Sequence, residues 1–218
     1  MNFPLTLSDI QAEATKFAVL ASQIPEPSLY GVDNGKKIGT HIEHTFRAYL
    51  AKTYKFNLGN SASGLDFPEL NLDIKATSVK QPQSSCPYKS ARQKVFGLGY
   101  SLLVFVYSKT DDPATKTAIL DIKHAVYVAA DRTADFQMTT ELNRILANNG
   151  NEDDLIAFMH DRVLPVDDIE ATSIAEKLVS LGKIPVGYLT ISNALQWRLQ
   201  YQRVIDYAGK VDGIVKIF

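Results

Sequence analysis

Several features that mark particular classes of protein are scarce or missing in this sequence. Its single cysteine, Cys86, excludes a disulfide within the chain and agrees with a reducing compartment. No apolar run is long enough to cross a membrane, and the longest, residues 102–107, has the length of a buried central strand. The N-terminus shows no basic segment followed by an apolar one, the pattern of an export signal, so we expect a cytoplasmic protein.

Acidic residues are absent from one long stretch, although the whole chain is close to neutral, with 23 basic and 24 acidic residues. Residues 76–109 contain no Asp or Glu but five basic side chains, whereas residues 111–176 are strongly acidic. A near-neutral total argues against a general nucleic-acid coat but permits a local patch. We expect a positive surface and a separate negative one, which together would orient the protein on a polyanion.

One segment carries candidate catalytic chemistry. From Leu70 to Thr77, apolar and polar residues alternate with the period of a half-buried strand, which places Asp73 and Lys75 on one solvated face and Ile74 in the core. Pro68 marks a turn that can bring Asp66 back beside Asp73. Two adjacent carboxylates repel each other unless a cation lies between them, and hard oxygen ligands suit Mg²⁺.

A helix is predicted upstream, from Gly39 to Tyr54, because Ile42, Phe46, Tyr49 and Leu50 form an apolar stripe. Glu43 lies at the margin of that stripe. There it is either a solvent-facing residue or a third acid directed at the acidic strand.

Together, residues 38–43 and 66–75 resemble the active-site region of MutH-type nicking endonucleases and their restriction-enzyme relatives, in the PD-(D/E)XK nuclease superfamily. The resemblance covers roughly residues 36–80 and depends on the order and spacing of the residues. It implies an α/β fold with a restriction-endonuclease-like mixed β-sheet flanked by helices. It also implies that Asp66, Asp73, Lys75 and Glu43 are catalytic, with Asp73 standing where the nicking enzymes have Glu.

The implied cofactor is Mg²⁺, held by Asp66, Asp73 and the Ile74 backbone carbonyl, with Glu43 acting through a water. The implied activity is that of a Mg²⁺-dependent type II restriction endonuclease, which hydrolyses phosphodiesters at a short sequence in double-stranded DNA. A MutH-like strand-nicking repair enzyme is the alternative, and a DNA-binding module derived from a nuclease is the non-enzymatic one. A cognate DNA methyltransferase is expected as a genetic partner, and the sequence leaves a monomer or a homodimer open.

The segment after the acidic strand offers amides, hydroxyls and basic groups that suit base edges and phosphates. We expect DNA contacts from Lys80, Gln81, Gln83, Ser84, Ser85, Lys89 and Arg92. A second set near the C-terminus, Arg198, Gln200, Gln202 and Arg203, fits better on the exposed face of a helix.

The length fits a single domain, residues 1–218, with helical N-terminal and C-terminal elements. Predicted helices cover residues 8–23, capped through Ser8 and Gln11, then 39–54, 87–97, 139–148, 168–181 and 193–207. Predicted strands cover 70–79, 102–107, 118–128 and 211–218, and a loop covers 59–64.

Overall fold

The structure is a computed structural model and describes residues 3–57, 64–192 and 197–218. The strands are β1 (Phe3–Pro4), β2 (Tyr54–Lys55), β3 (Leu72–Ser78), β4 (Gln83–Cys86), β5 (Ser101–Asp112), β6 (Thr117–Val128), β7 (Thr190–Ile191), β8 (Trp197–Gln200) and β9 (Ile214–Lys216). The helices are α1 (Leu7–Ala21), α2 (Gly35–Ala51), α3 (Arg92–Phe96), α4 (Phe136–Ala147), α5 (Glu152–Asp161), α6 (Asp168–Leu181) and α7 (Gln202–Tyr207).

The chain divides into two compact units. The first unit comprises residues 1–84, 101–128 and 204–218, and the second comprises residues 85–100 and 129–203. In the described ranges, no helix combines the length and the apolarity needed to cross a membrane.

A four-stranded mixed sheet in the order β3-β5-β6-β9 forms the centre of the first unit. Strand β3 runs parallel to β5, and the long β5–β6 hairpin and β9 are antiparallel. Helix α1 packs on β6 and α2 packs on β3. Three rings join these layers: the centroid of Phe46 lies 5.0 Å from that of Phe17 and 5.2 Å from that of Phe105. The expected α/β architecture, a mixed sheet flanked by helices, is confirmed.

The second unit is mainly helical. Helices α4, α5 and α6 share a core that includes Met138, Leu142, Leu155 and Leu178. Helix α6 has the predicted bounds, but α5 was not predicted. Its first turn holds Glu152, Asp153 and Asp154, and Asn151 and Asp154 form a reciprocal capping box. Carboxylates are favourable at a helix N-terminus, so this acidic run starts a helix.

Several predicted boundaries were wrong. Thr6 and Asp9, rather than Ser8 and Gln11, form the capping box of α1. Helix α2 begins at Gly35, where Asn34 caps it, and not at Gly39. Only residues 92–96 of the predicted 87–97 helix are helical, and β4 precedes them unpredicted. The predicted loop at 59–64 lies outside the described residues except for Gly64.

The predicted C-terminal helix from 193 to 207 was also wrong. Residues 193–196 lie outside the described ranges, and residues 197–200 form β8, which pairs antiparallel with β7. Trp197 and Leu199 are buried while Arg198 and Gln200 are exposed, which is the period of a strand. Helix is found only from Gln202 to Tyr207, whereas the strand-like C-terminal tail is confirmed as β9.

Candidate active site

The candidate site is built on β3, which is the edge strand of the four-stranded sheet. The 3-10 turn Pro68–Leu70 and the left-handed Asn71, with φ of 49°, reverse the chain just before β3. As a result, Phe67 and Leu72 exchange backbone hydrogen bonds of 3.0 and 3.2 Å. One residue earlier, an Asp66 carboxylate oxygen accepts the Ile74 N–H at 2.9 Å. The turn thus places Asp66 against β3.

Helix α2 brings the third acid to the same edge. At Gly39 the helix lies so close to β3 that an added Cβ would be 3.0 Å from the Ala76 carbonyl oxygen. One turn later, the Glu43 carboxylate accepts a hydrogen bond from the Ala76 backbone N–H. Glu43 therefore points at β3 and not at solvent, as one of its two sequence interpretations expected.

Asp73 and Lys75 form an ion pair on the face of β3 opposite to Ile74. The solvated face predicted for them was wrong for Asp73, whose side chain is only 6% exposed, against 21% for Lys75. Alternation along a strand separates two faces but does not say whether the polar face is covered. The carboxyl of Asp73 also adjoins that of Asp66.

The electrostatics of the four residues reflect this crowding. Burial raises the pKa of Asp73 to about 6; Lys75 opposes the shift, and Asp66 adds to it. Burial likewise raises the pKa of Glu43 to about 7, with further contributions from Asp66 and Asp73. Burial alone would lower the pKa of Lys75, but Asp73, followed by Glu43 and Asp66, raises it. The site holds more negative charge than its own cations balance, which is the condition under which carboxyls retain protons.

Arg47 is a member of the site that the sequence interpretation missed. Its guanidinium donates to an Asp66 carboxylate oxygen at 2.9 Å, and the two side chains are 20% and 15% exposed. It follows Glu43 by four positions on the predicted helix, so both side chains lie on one helix face. This four-residue spacing from Glu43 was the feature of the sequence that could have identified Arg47 as a member of the site.

The same tripeptide, Asp-Ile-Lys, occurs a second time, at residues 121–123 of β6. Asp121 and Lys123 also form an ion pair, but their side chains are 44% and 47% exposed. The tripeptide alone therefore does not make a site. What distinguishes residues 73–75 is burial together with Glu43, Asp66 and Arg47.

The donor atoms suit a hard divalent cation. Two carboxyls in contact, a third nearby and an excess of negative charge are what oxygen-ligated Mg²⁺ would neutralise. The N–H and C=O groups of one strand residue point to the same side, so the Ile74 carbonyl faces the edge where Asp66 lies. Among residues 3–57, 64–192 and 197–218, no three His, Cys, Asp or Glu side chains stand ready to hold a metal. Lys75 and Arg47 pair with two of the carboxylates instead.

The residues predicted to contact DNA are divided between the two units. Lys80, Gln81, Gln83 and Ser84 belong to the first unit, and Ser85, Lys89 and Arg92 to the second. Lys80, Gln81, Ser85 and Lys89 are exposed, whereas the other three residues are partly covered.

Two of these residues, Gln83 and Arg92, make hydrogen bonds within the protein. Thr77, on the same face of β3 as Asp73 and Lys75, accepts the Gln83 N–H through its hydroxyl at 2.9 Å, which fixes the turn at 79–82. Arg92 donates to Glu170 at 2.7 Å and to Ser173 at 2.8 Å, and so connects α3 to α6. In the second set, Arg203 stacks over Phe136 at 4.0 Å from the ring centroid.

Comparison with known proteins identifies the family of this chain. A family model described as "Type II restriction enzyme NspV" matches residues 4–216. The type II restriction enzyme NspV of Nostoc sp. (strain ATCC 29411 / PCC 7524) is 59% identical over 214 residues, which cover 98% of this chain and 97% of that protein. No solved structure matches the chain significantly. Since the match extends over nearly the whole length of both proteins, the chain belongs to the NspV family of type II restriction enzymes.

Proposed function

We propose that this type II restriction enzyme hydrolyses DNA phosphodiesters at the site formed by Glu43, Asp66, Asp73 and Lys75, and that its cofactor is Mg²⁺. Site-specific cleavage of double-stranded DNA follows from the family. One observation supports the location best: the buried carboxyl of Asp73 lies beside that of Asp66, and Glu43 and Lys75 adjoin them.

Each residue then has a role that fits its position. Asp66 and Asp73 would hold Mg²⁺, assisted by the Ile74 carbonyl and, through a water, by Glu43. When bound, Mg²⁺ would supply positive charge for the scissile phosphate and acidify a water. Asp66 is held in place by the Ile74 N–H, and Glu43 by the Ala76 N–H, so neither acid needs to reorganise to be presented.

Lys75 would orient the attacking water or stabilise the charge that develops on the phosphate. Its partner Asp73 keeps it at the site, because the two side chains emerge from one face of β3. Loss of Asp73 would therefore remove a metal ligand and also release the lysine.

Recognition of the DNA is proposed to begin at the turn that follows β3. The exposed Lys80 would contact a phosphate and Gln81 a base edge, and Gln83 and Ser84 follow them in the first unit. Ser85 and Lys89 would contact DNA from the second unit. Arg92 could join them only by leaving Glu170 and Ser173. A DNA methyltransferase that protects the same sequence is the genetic partner that this activity requires.

Digestion of unmethylated phage DNA with Mg²⁺, followed by sequencing of the ends, tests the activity and the site together. Discrete double-strand fragments are expected from the wild type, and nicks alone would favour the strand-nicking alternative. Asp66→Ala should abolish cleavage. Asp121→Ala is the matched control, since it removes an acid from the exposed copy of the same tripeptide. Full cleavage by Asp66→Ala would place the site elsewhere.

A further inference from the structure

We propose that Arg47 is the resident counter-cation of Asp66, and that a divalent cation has to displace it from this carboxylate in order to bind. Arg47 would then set the concentration of divalent cation at which the enzyme is loaded. The inference rests on the proposed metal site at Asp66 and Asp73.

The first argument comes from the two oxygens of Asp66. One oxygen accepts the Ile74 N–H and the other accepts the Arg47 guanidinium, both at 2.9 Å. The Ile74 bond comes from the strand itself and is sufficient to orient the carboxylate. Arg47 therefore contributes charge more than orientation, and it occupies an oxygen that a metal would use.

The second argument is the balance of charge. Three carboxylates, those of Glu43, Asp66 and Asp73, meet two cations, Lys75 and Arg47. A divalent cation added to this set would reverse the sign of the local excess, and like charges a few ångströms apart repel by several kcal/mol at an effective dielectric constant of about 20. One resident cation must withdraw for the metal to enter.

The third argument identifies which cation withdraws. Lys75 is tied to the more deeply buried acid, Asp73, and both side chains emerge from the same strand face. Arg47 is attached to α2 by a long flexible side chain that is 20% exposed, and its partner Asp66 retains the Ile74 hydrogen bond when the guanidinium leaves. Displacing Arg47 therefore leaves no backbone group unpaired.

The test is calorimetric titration of Ca²⁺ into DNA-free protein, which measures metal affinity without turnover. Arg47→Gln, which keeps a hydrogen-bond donor but removes the charge, should bind Ca²⁺ on the order of tenfold more tightly than wild type. Arg47→Lys, which keeps the charge, should stay closer to wild type. Arg144→Gln, which breaks an exposed pair with Glu141 on α4, should have no effect.

Weaker or unchanged Ca²⁺ binding by Arg47→Gln would overturn the proposal, because a residue that only positions Asp66 would lower affinity when lost. A thermal melt of each variant in EDTA verifies that it is folded, and Arg47→Lys provides a second variant. Asp73→Ala separates the proposed metal site at Asp66 and Asp73 from the proposed role of Arg47. If it binds Ca²⁺ as well as the wild type, the metal site itself is misassigned, and the role of Arg47 fails with it.

Discussion

Replacing Asp73 by Asn should abolish cleavage and make the metal-free protein more stable. The pKa of Asp73 is raised from 3.8 to about 6, chiefly by burial, so its charged form is disfavoured in the folded protein. This difference corresponds to about 3 kcal/mol. Asn has nearly the shape of the protonated carboxyl and carries no charge, so it should stabilise the metal-free protein at pH 8, by on the order of 1 to 3 kcal/mol.

The dependence on pH gives this prediction a second check. The folded protein binds the Asp73 proton more tightly than the unfolded chain does, so ionisation of Asp73 lowers stability as pH rises. The penalty is fully present above about pH 6 and vanishes as pH falls toward 3.8. The advantage of Asp73→Asn should therefore be large at pH 8 and small near pH 4. Urea unfolding in EDTA at the two pH values measures it.

The matched control is Asp121→Asn, in the exposed copy of the tripeptide. Because an exposed pair contributes about 0 to 1 kcal/mol, this variant should change stability little and should cleave normally. If Asp73→Asn proves less stable than wild type at pH 8, Asp73 serves mainly as a structural partner of Lys75, and the reasoning from charge crowding is refuted.

Four further predictions follow from the same geometry. Lys75→Ala should bind DNA in Ca²⁺ almost as well as wild type, because one phosphate contact is a small part of the total affinity, but it should fail to cleave DNA in Mg²⁺. If this variant loses DNA binding, Lys75 serves to bind DNA and not to catalyse its cleavage. Gly39→Val should force α2 away from the Ala76 carbonyl, which should lower the free energy of unfolding by about 1 to 3 kcal/mol and reduce cleavage in a plasmid assay. Gly35→Val is the control: a Cβ there meets nothing within 4 Å, so stability and cleavage should both stay near wild type. Thr77→Val should speed amide exchange at residues 79–83, since the Gln83 N–H loses its acceptor; unchanged exchange would contradict this. Finally, Gln81→Ala should alter the cleavage profile on random-sequence duplex, whereas Lys80→Ala should weaken all sites alike and flatten the salt dependence; equal effects would remove base reading from this turn.

The central sheet and α6 were predictable because their signals are local. Residues 102–107 form a continuous apolar run, and the predicted bounds of α6 begin where Asp167 caps it. The strand β8 was not predictable in this way, because Leu195 and Leu199 have the i, i+4 spacing of a helical stripe. Only the burial of Trp197 and Leu199 decides between the helical and the strand period.

In the site, the order and spacing of the acids could be read from the chain, but their environment could not. The depth of Asp73 depends on which groups the tertiary fold brings to its face of β3, such as Asp66 and Glu43, and local sequence does not determine this. Arg47 was missed for a related reason. An arginine on the polar side of an amphipathic helix is ordinarily a solvated residue, and only contact with Asp66 distinguishes it.

The hydrogen bonds along β3 also bear on the free edge that this strand gives the sheet. An exposed edge strand presents free backbone groups to which another chain can add, and this is a common route to aggregation. Here the backbone groups of Leu72 are hydrogen-bonded to those of Phe67. The Ile74 N–H donates to the Asp66 carboxylate and the Ala76 N–H to the Glu43 carboxylate. Carboxylates therefore occupy the positions that a further strand would take. Another strand cannot add at this edge while these carboxylates occupy it, so the acids of the proposed catalytic site would also protect the sheet from aggregation.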